Sequence, residues 1–325
     1  MTKLTRRSIV LGAALTPFAP YVARAQNWPS GPIKLMIPFP PGGSVDAVAR
    51  MAQPGLQQRL GATIVIENRT GASGSVATGA VAKSPPDGNT WLFVFDTHAV
   101  NPSLLPNLTF DTEKELDPVL LIATAPYVVA ANPARPFKTL ADIITAAKAK
   151  PKGVSYASVG TGSIGHLAMV LLGKQAGIDI VHVPYRGGGP AVNDAVAGHV
   201  DLINGSAALL TPQISAGKLK PIFQMGDKRL PALANVQTIG EAGYPGAQAV
   251  AWWAVFAPAK TPKPIVDRFA TALTESLREG RIAKMLTESQ QMNLLFGNAD
   301  QLRKFNADQM KIWGTVIREN NIKMS

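Results

Sequence analysis

The chain has no cysteine among its 325 residues. This absence excludes disulfides, thiolate metal sites and catalysis by a thiol nucleophile. It also excludes lipid attachment at an N-terminal cysteine. Long apolar runs are missing too, since no stretch reaches the ~20 residues that a transmembrane helix needs. We therefore expect a mature protein that is free and soluble.

Signatures of common enzyme chemistry are equally scarce. The four histidines show neither H-x-x-x-H nor H-E-x-x-H spacing, so no metal site is predicted. There is no G-x-S-x-G nucleophile elbow, and Asp46, Asp96 and Asp201 lie on separate predicted elements. His98 and His166 lie beside glycine loops and are candidates for ligand contact, although a lone histidine is more often structural. The sequence predicts no catalytic residue and no cofactor.

Acidic residues are outnumbered by basic ones, 21 against 32, which gives a net charge of +11. The basic residues are scattered, and no basic stretch is interleaved with aromatic residues, so nucleic-acid binding is not expected. The densest cluster, Lys148 to Lys152, ends a predicted helix, where cations suit the helix dipole. A basic surface is compatible with an anionic ligand.

The first 25 residues have the features of an export signal. Basic residues precede a modest apolar stretch at 9–19, and Ala23-Arg24-Ala25 is an A-x-A cleavage site. An arginine pair within Thr5 to Ile9 resembles a twin-arginine signal in which isoleucine replaces the usual phenylalanine, so the Sec and twin-arginine routes both stay open. We expect cleavage near Ala25 and a periplasmic location.

One pattern recurs along the chain and is seen first in Ile33 to Arg50. An apolar strand ends at Pro38, a loop of prolines and glycines follows, and Asp46 opens a helical pattern. Glycine lets the backbone approach a ligand, and the free N–H groups of a helix's first turn point at it. The stretch therefore predicts an anion-binding loop. Asp46 is predicted either to cap the helix or to accept a hydrogen bond from the ligand.

Continuous apolar strands alternate with helical patterns over most of the chain. This alternation predicts α/β lobes with parallel sheets that are covered on both faces. Two longer apolar runs, 118–131 and 252–257, are suited to cross between lobes. The predicted organisation is a signal peptide at 1–25, lobe 1 at 26–122 plus 226–325, and lobe 2 at 123–225.

The segment Gly160 to Gly165 matches G-x-G-x-x-G between a predicted strand and a predicted helix. A dinucleotide-dependent oxidoreductase would place a pyrophosphate here. However, Asp179 precedes its strand, whereas the ribose-binding acid should end it. The alternatives are a plain tight turn and an anion-binding loop in which Thr161 and Ser163 add hydroxyl donors.

Taken together, these loops resemble those of the extracytoplasmic solute receptors of tripartite tricarboxylate transporters, the Bug receptors. The resemblance covers nearly all of the mature chain. It rests, in order, on Pro38 to Asp46, Glu67 to Gly74, Thr97 to Pro102, Tyr156 to Ser163 with His166 to Ala168, and Val183 to Gly187 with Val200-Asp201. Together these segments are specific, whereas any one alone is not.

The resemblance implies a type II periplasmic-binding-protein-like α/β fold with two hinge-linked, Rossmann-like lobes that close on a small carboxylate. It implies a receptor that is not an enzyme, has no cofactor and hands its ligand to two integral membrane transporter subunits. A monomer is expected. A ligand sensor for a signalling partner is an alternative that the sequence does not separate from transport.

In that family the first two loops of lobe 1 and the loop after the first strand of lobe 2 hold the ligand, partly through backbone amides and waters. Arg186 stands where the family often has lysine, and the glycines after it leave the size of the ligand open. With the neighbouring loop residues included, the predicted ligand-binding set is Phe39, Gly42, Gly43, Ser44, Asp46, Ser73, Thr97, His98, Ser158, Thr161, Gly162, Ser163, His166, Tyr185 and Asn204.

Overall fold

A computed structural model gives the structure of the protein and describes residues 28–323. The predicted export signal and its cleavage site lie outside the described residues. Ten strands occur within that range: β1 (Ile33–Ile37), β2 (Ile64–Asn68), β3 (Thr90–Phe95), β4 (Leu116–Ala131), β5 (Ser155–Ser158), β6 (Val181–Pro184), β7 (Leu202–Ser206), β8 (Lys220–Gln224), β9 (Val250–Pro258) and β10 (Asn293–Gly297). Ten α-helices accompany them: α1 (Ser44–Leu60), α2 (Ser75–Ala82), α3 (Thr97–Leu104), α4 (Leu140–Ala149), α5 (Ile164–Ala176), α6 (Gly188–Ala197), α7 (Ala207–Ser215), α8 (Lys263–Leu277), α9 (Gly280–Lys284) and α10 (Ala299–Glu319).

The ten strands form one continuous sheet with two parallel halves. In lobe 1, β1 pairs in parallel with β2 and β3, and in lobe 2, β5 pairs in parallel with β6 and β7. Strands β9 and β4 lie antiparallel between the two halves, and β8 and β10 also pair antiparallel with β4. The parallel sheets predicted from the alternation of strands and helices are confirmed, but antiparallel strands join them.

Strand β4 links the two lobes and is the first apolar run that was predicted to cross between them. Up to Pro126 it pairs with β9, and from Tyr127 it pairs with β7 and β8. Strand β9 pairs with β3 and with the part of β4 up to Pro126, and with no strand of the lobe 2 sheet beyond it among the described residues. The chain instead returns to lobe 1 beside Tyr127. There the Ala249 amide donates to the Met225 carbonyl, the Met225 amide to the Tyr127 carbonyl, and the Tyr127 amide to the Ala249 carbonyl. The lobe boundaries after residues 122 and 225 stay a prediction.

Helices cover both faces of the lobe 1 sheet. Helix α8 buries Phe269, Leu273 and Leu277 at a helical spacing of four residues, and the Phe269 ring stacks on Trp91 with centroids 3.8 Å apart. The opposite face packs against α2, α3 and α10 and contains Trp252 and Phe256. Within residues 28–323, none of the helices combines the length and the apolar character needed to cross a bilayer.

Candidate functional site

A cavity of about 600 Å³ lies between the two lobes. The loops that follow β1, β2, β5 and β6 line it, so four parallel strands end at its walls. Ligands of open α/β sheets bind outside the carboxyl ends of the strands, which makes this the candidate site. We call it the inter-lobe cavity. Its lining is Pro38, Phe39, Thr70, Gly71, Ala72, Ser73, Gly74, Val159, Gly160, Thr161, Pro184, Tyr185 and Arg186.

The loop after β2 enters this cavity with a strained backbone. Ala72 and Ser73 have φ angles of 42° and 51°, in the left-handed region that costs an L-residue roughly 1–2 kcal/mol. Ser73 Oγ donates a hydrogen bond to the Thr161 carbonyl of lobe 2 at 3.2 Å. The Ser73 carbonyl accepts one from Asn101 Nδ2 at 3.0 Å. Such strain persists only where the surroundings fix it, and it is concentrated at ligand-binding sites.

Asp46 supports the loop after β1 from inside the protein. It is only 3% exposed, and its Oδ2 accepts hydrogen bonds from the Gly42 amide at 3.1 Å and from Arg50 Nε at 2.9 Å. Its Oδ1 accepts from Asn68 Nδ2 at 3.0 Å. Burial by itself raises the pKa of Asp46, but these hydrogen bonds outweigh it and hold the pKa below 3.8. Both oxygens are engaged within the protein, so the geometry favours a structural role over ligand contact.

The loop after β5 is supported by neutral groups. Ser163 caps α5, since its Oγ accepts from the His166 amide at 3.3 Å. His166 Nδ1 accepts in turn from the Gly162 amide at 3.1 Å. A Cβ on Gly162 would lie 2.1 Å from Leu104 Cδ2, so the middle of the loop packs directly against lobe 1. The Gly162 amide, which a dinucleotide-binding loop would leave free for the pyrophosphate, is bonded to His166 instead, so the geometry gives the dinucleotide interpretation no support.

A polar cluster lies behind this loop. Ser158 Oγ is 2.7 Å from His182 Nε2, and the His182 ring stacks on His166 with centroids 4.0 Å apart. Burial lowers the pKa of His166 to about 4. Burial, together with repulsion from His166 when that ring is protonated, lowers the pKa of His182 to about 3. Both rings are therefore neutral near pH 7, and Ser158, Ser163 and His166 shape the loop without lining the cavity.

Tyr185 and Arg186 form part of the lobe 2 wall. The Tyr185 hydroxyl donates to Asp194 Oδ2 at 2.6 Å, which ties the wall to α6. Burial and the nearby Asp194 carboxylate raise the pKa of Tyr185 to about 12, so its hydroxyl keeps its proton. Arg186 is exposed, and its guanidinium forms no ion pair or hydrogen bond with any residue in the range 28–323.

Gly42, Gly43 and Ser44 line a different groove, of about 500 Å³. Between this groove and the inter-lobe cavity, the two lobes touch through glycine-rich backbone. A Cβ on Gly187 would lie 2.8 Å from Pro40 Cδ, and a Cβ on Gly189 would lie 3.2 Å from the Pro41 carbonyl oxygen. The glycines after Arg186 therefore serve close approach of the lobes.

Three predicted site residues lie away from the cavity. The His98 ring packs on Phe256 with centroids 4.4 Å apart, and burial lowers the pKa of His98 to about 3. Helix α3 turns the His98 ring against the sheet, so His98 does not line the inter-lobe cavity and its ligand contact gains no support from the geometry. Thr97 is buried at the start of the same helix. Asn204 Nδ2 donates to the Gly165 carbonyl at 2.7 Å, inside lobe 2.

The structure brings four predicted residues together at the inter-lobe cavity: Phe39, Ser73, Thr161 and Tyr185. Sequence reasoning did not place Arg186 in the site, although its position directly after Tyr185 was a usable signal. It also omitted the strained turn at Gly71 and Ala72, because a turn's φ angles depend on the contacts that hold it.

Comparisons with known proteins agree with this architecture. The model of the tripartite tricarboxylate transporter family receptor, TctC, matches residues 48–322. Protein BugT of Bordetella pertussis is 34% identical over 304 residues, which covers 92% of each chain. The structure of R. palustris Rpa4515 with adipate has a TM-score of 0.86 at 30% identity and covers 91% of this chain and 99% of that one. The structure of MatC from Rhodopseudomonas palustris with bound malate has a TM-score of 0.82 at 30% identity and covers 89% of this chain and 100% of that one.

The family match spans most of the chain, and the solved structures share its two-lobed, periplasmic-binding-protein-like fold. The chain therefore belongs to the family of tripartite tricarboxylate transporter receptors.

Proposed function

We propose that this protein is a periplasmic solute-binding protein that captures a small organic carboxylate in the inter-lobe cavity. The carrying observation is the make-up of that cavity. Loops from both lobes line it, and Arg186 is the single charged residue among the described residues of its lining. A carboxylate would meet backbone groups and hydroxyls there without facing a carboxylate of the protein. The adipate and malate in two related structures support this ligand class.

Closure of the lobes follows from the position of the cavity. A ligand that contacts the walls of both lobes stabilises the arrangement in which the lobes are close. Strand β4 changes partners between Pro126 and Tyr127, and we infer that the hinge lies there. In the proposed site, Phe39, Ser73, Thr161 and Tyr185 contact the ligand. Asp46, Ser158, Ser163 and His166 hold the loops in position and have no catalytic task.

A panel of mono-, di- and tricarboxylates tests the proposal on the mature protein, first by thermal shift and then by calorimetric titration. A ligand at a hundred times its Kd adds about 2.7 kcal/mol to the unfolding free energy, so a true ligand gives a clear shift. Ligand should also reduce the radius of gyration in solution scattering. A panel that produces neither a shift nor heat at millimolar concentrations would rule out carboxylate capture.

A cavity-filling variant locates the site. Thr161 lines the inter-lobe cavity, so Thr161→Tyr should abolish binding of the acid found in the panel. Thr109 lines a separate surface hollow and is exposed, so Thr109→Tyr serves as the matched control and should bind normally. Normal binding by both variants would place the ligand elsewhere.

We further propose that the protein is exported, acts as a monomer and delivers its ligand to two integral membrane transporter subunits. Intact-mass analysis of the periplasmic fraction should give a chain that begins at Gln26. Ligand-loaded protein should co-purify with the membrane subunits from detergent extracts more strongly than ligand-free protein. Capture of a signalling receptor in place of those subunits would favour the sensor alternative.

A further inference from the structure

Arg186 is the one charged residue that lines the inter-lobe cavity within the described part of the chain. Other arginines near the cleft are already paired: Arg50 Nε lies 2.9 Å from Asp46 Oδ2, and Arg69 Nη2 lies 3.1 Å from Glu67 Oε1. The Arg186 guanidinium has no such partner among residues 28–323. Its five N–H donors are therefore available to a group that enters the cavity.

The backbone on each side of Arg186 is fixed. The Tyr185 amide donates to the Ser158 carbonyl at 3.1 Å, and the Tyr185 hydroxyl is bonded to Asp194. On the other side, Gly187 packs so closely on Pro40 of lobe 1 that a Cβ would lie 2.8 Å from its ring. Contacts with both lobes thus hold the backbone next to Arg186, while its side chain stays unpaired.

The opposite wall has a different character. It is formed by Thr70 to Gly74, which present hydroxyls and backbone groups and carry no charge. A ligand with one carboxylate can be held by such neutral groups alone. A second carboxylate loses part of its hydration on entering the cavity, and a cation that meets it offsets that cost. The cavity offers that cation at one place only among its described residues.

We propose that Arg186 is a specificity-determining residue that pairs with the second carboxylate of a dianionic ligand. The planar guanidinium can hold that carboxylate with two parallel hydrogen bonds, which an ammonium cannot do. The receptor consequently prefers a dicarboxylate over the monocarboxylate of the same carbon number. This inference rests on the proposed function, because it concerns the same cavity.

Calorimetric titration with adipate and hexanoate, and with succinate and butyrate, tests this inference, since each pair differs in one carboxylate. Wild-type protein should bind the dicarboxylate of a pair more tightly. Arg186→Gln should lower the affinity for the dicarboxylate about tenfold, which corresponds to about 1.4 kcal/mol of binding free energy. The affinity for the monocarboxylate should change by less than about twofold. Arg186→Lys keeps the charge but cannot form two parallel hydrogen bonds with a carboxylate, so its affinity for the dicarboxylate should lie between those of the wild type and Arg186→Gln.

Arg69→Gln is the matched control, because it removes the same charge next to the cavity from a side chain that does not line it. It should leave the preference between the acids unchanged. Raising the salt from about 0.05 M to about 0.5 M should shrink the Arg186→Gln effect, since the pairing is near solvent and screening shortens its range. Melting curves of the two Arg186 variants should overlay the wild-type curve, because Arg186 has no internal partner to lose.

The outcomes separate this inference from the proposed function. If Arg186→Gln lowers the affinity for both acids of a pair equally, or for neither, Arg186 does not determine specificity. The proposal that the protein captures a carboxylate would still stand. If Arg69→Gln reproduces the selective loss, general surface charge is responsible. If wild-type protein binds none of the four acids and none of the wider panel, the proposed function itself is wrong and this inference falls with it.

Discussion

The loop after β1 and the loop after β5 have similar sequences and opposite kinds of support. Each follows the first strand of its lobe and places a serine at the start of a helix, and each contains a glycine with positive φ: 85° at Gly42 and 77° at Gly162. The first loop is held by an ionised carboxylate, Asp46, and the second by neutral groups, Ser163 and His166. The group that holds each loop, rather than the glycine pattern, therefore determines the pH at which the loop loses its stabilising hydrogen bonds.

Space around the two glycines differs as well. A Cβ on Gly42 would meet nothing within 4 Å, whereas a Cβ on Gly162 would meet Leu104 of the other lobe. The lobe 2 loop is thus part of the contact between lobes, and the lobe 1 glycine faces open space. The following variants probe this contrast in pairs.

Paired glycine variants should show the largest difference. Gly42→Ala introduces only the strain of a left-handed L-residue, about 1–2 kcal/mol of unfolding free energy. Gly162→Ala adds a clash with buried Leu104 and should lose about 2–5 kcal/mol in total, since overpacking costs a further 1–3 kcal/mol. Urea unfolding measures the unfolding free energy of both variants. Equal losses would show that Leu104 does not pack closely enough on Gly162 to exclude a Cβ. Binding should also weaken far more in Gly162→Ala.

Acid should destabilise the lobe 2 loop through His166. Its pKa falls from 6.5 to about 4 on folding, so between these values the unfolded chain binds more protons and lowering the pH favours unfolding. The loss attributable to this residue is on the order of 3 kcal/mol between pH 6.5 and pH 4. In His166→Gln, whose amide oxygen can still accept from the Gly162 amide, stability should fall less over this window. A pH profile of His166→Gln that matches the wild-type profile would show that His166 does not cause the loss of stability in acid.

Asp46 should show its effect at a lower pH. Its folded pKa lies below 3.8, so its stabilisation is present above that value and is lost as the pH falls through the lowered folded pKa. At pH 7, Asp46→Asn should lose about 2 kcal/mol, the usual cost of disrupting hydrogen bonds to a charged group.

A matched ion pair tests whether burial causes this loss. Asp267 and Lys263 are also four residues apart on a helix but are exposed, so Asp267→Asn should cost under about 0.5 kcal/mol. The difference in unfolding free energy between Asp46→Asn and Asp267→Asn should vanish in acid. If Asp46→Asn instead keeps full stability but loses affinity for the ligand, Asp46 contacts the ligand.

The serines at the helix starts should give the smallest effects. Ser163→Ala removes an N-cap and should lower the unfolding free energy by about 1 kcal/mol. Ser44 is the first residue of α1, and its hydroxyl has no hydrogen-bond partner within residues 28–323, so Ser44→Ala should change stability by less than about 0.5 kcal/mol. Thermal denaturation of both variants checks this. A larger loss for Ser44→Ala would show that the two loops are supported alike.

The sequence predicted those strands and helices that a local pattern of apolar residues identifies. Strands β1 and β3 are continuous apolar runs of strand length, which is the pattern of a buried strand in a parallel sheet. Strand β10 and helices α3, α7 and α9 were missed. Strand β10 and helix α9 have only five residues each, and α3 and α7 are short helices that contain a proline. The pairing of β9 could not be predicted, since an apolar run fits either lobe until its neighbours are known.

By itself, the sequence determined the strand–loop–helix units and the glycines that permit positive φ, because these depend on neighbouring residues. It also carried the resemblance to a receptor family, which rests on the order of several segments along the chain. The tertiary structure decided which side chains of each loop line the cavity. Phe39 and Arg186 line it, whereas His98 lies in the core and Asp46 supports a loop from within. The direction of a side chain depends on contacts between elements far apart in the chain, and no local pattern encodes those contacts.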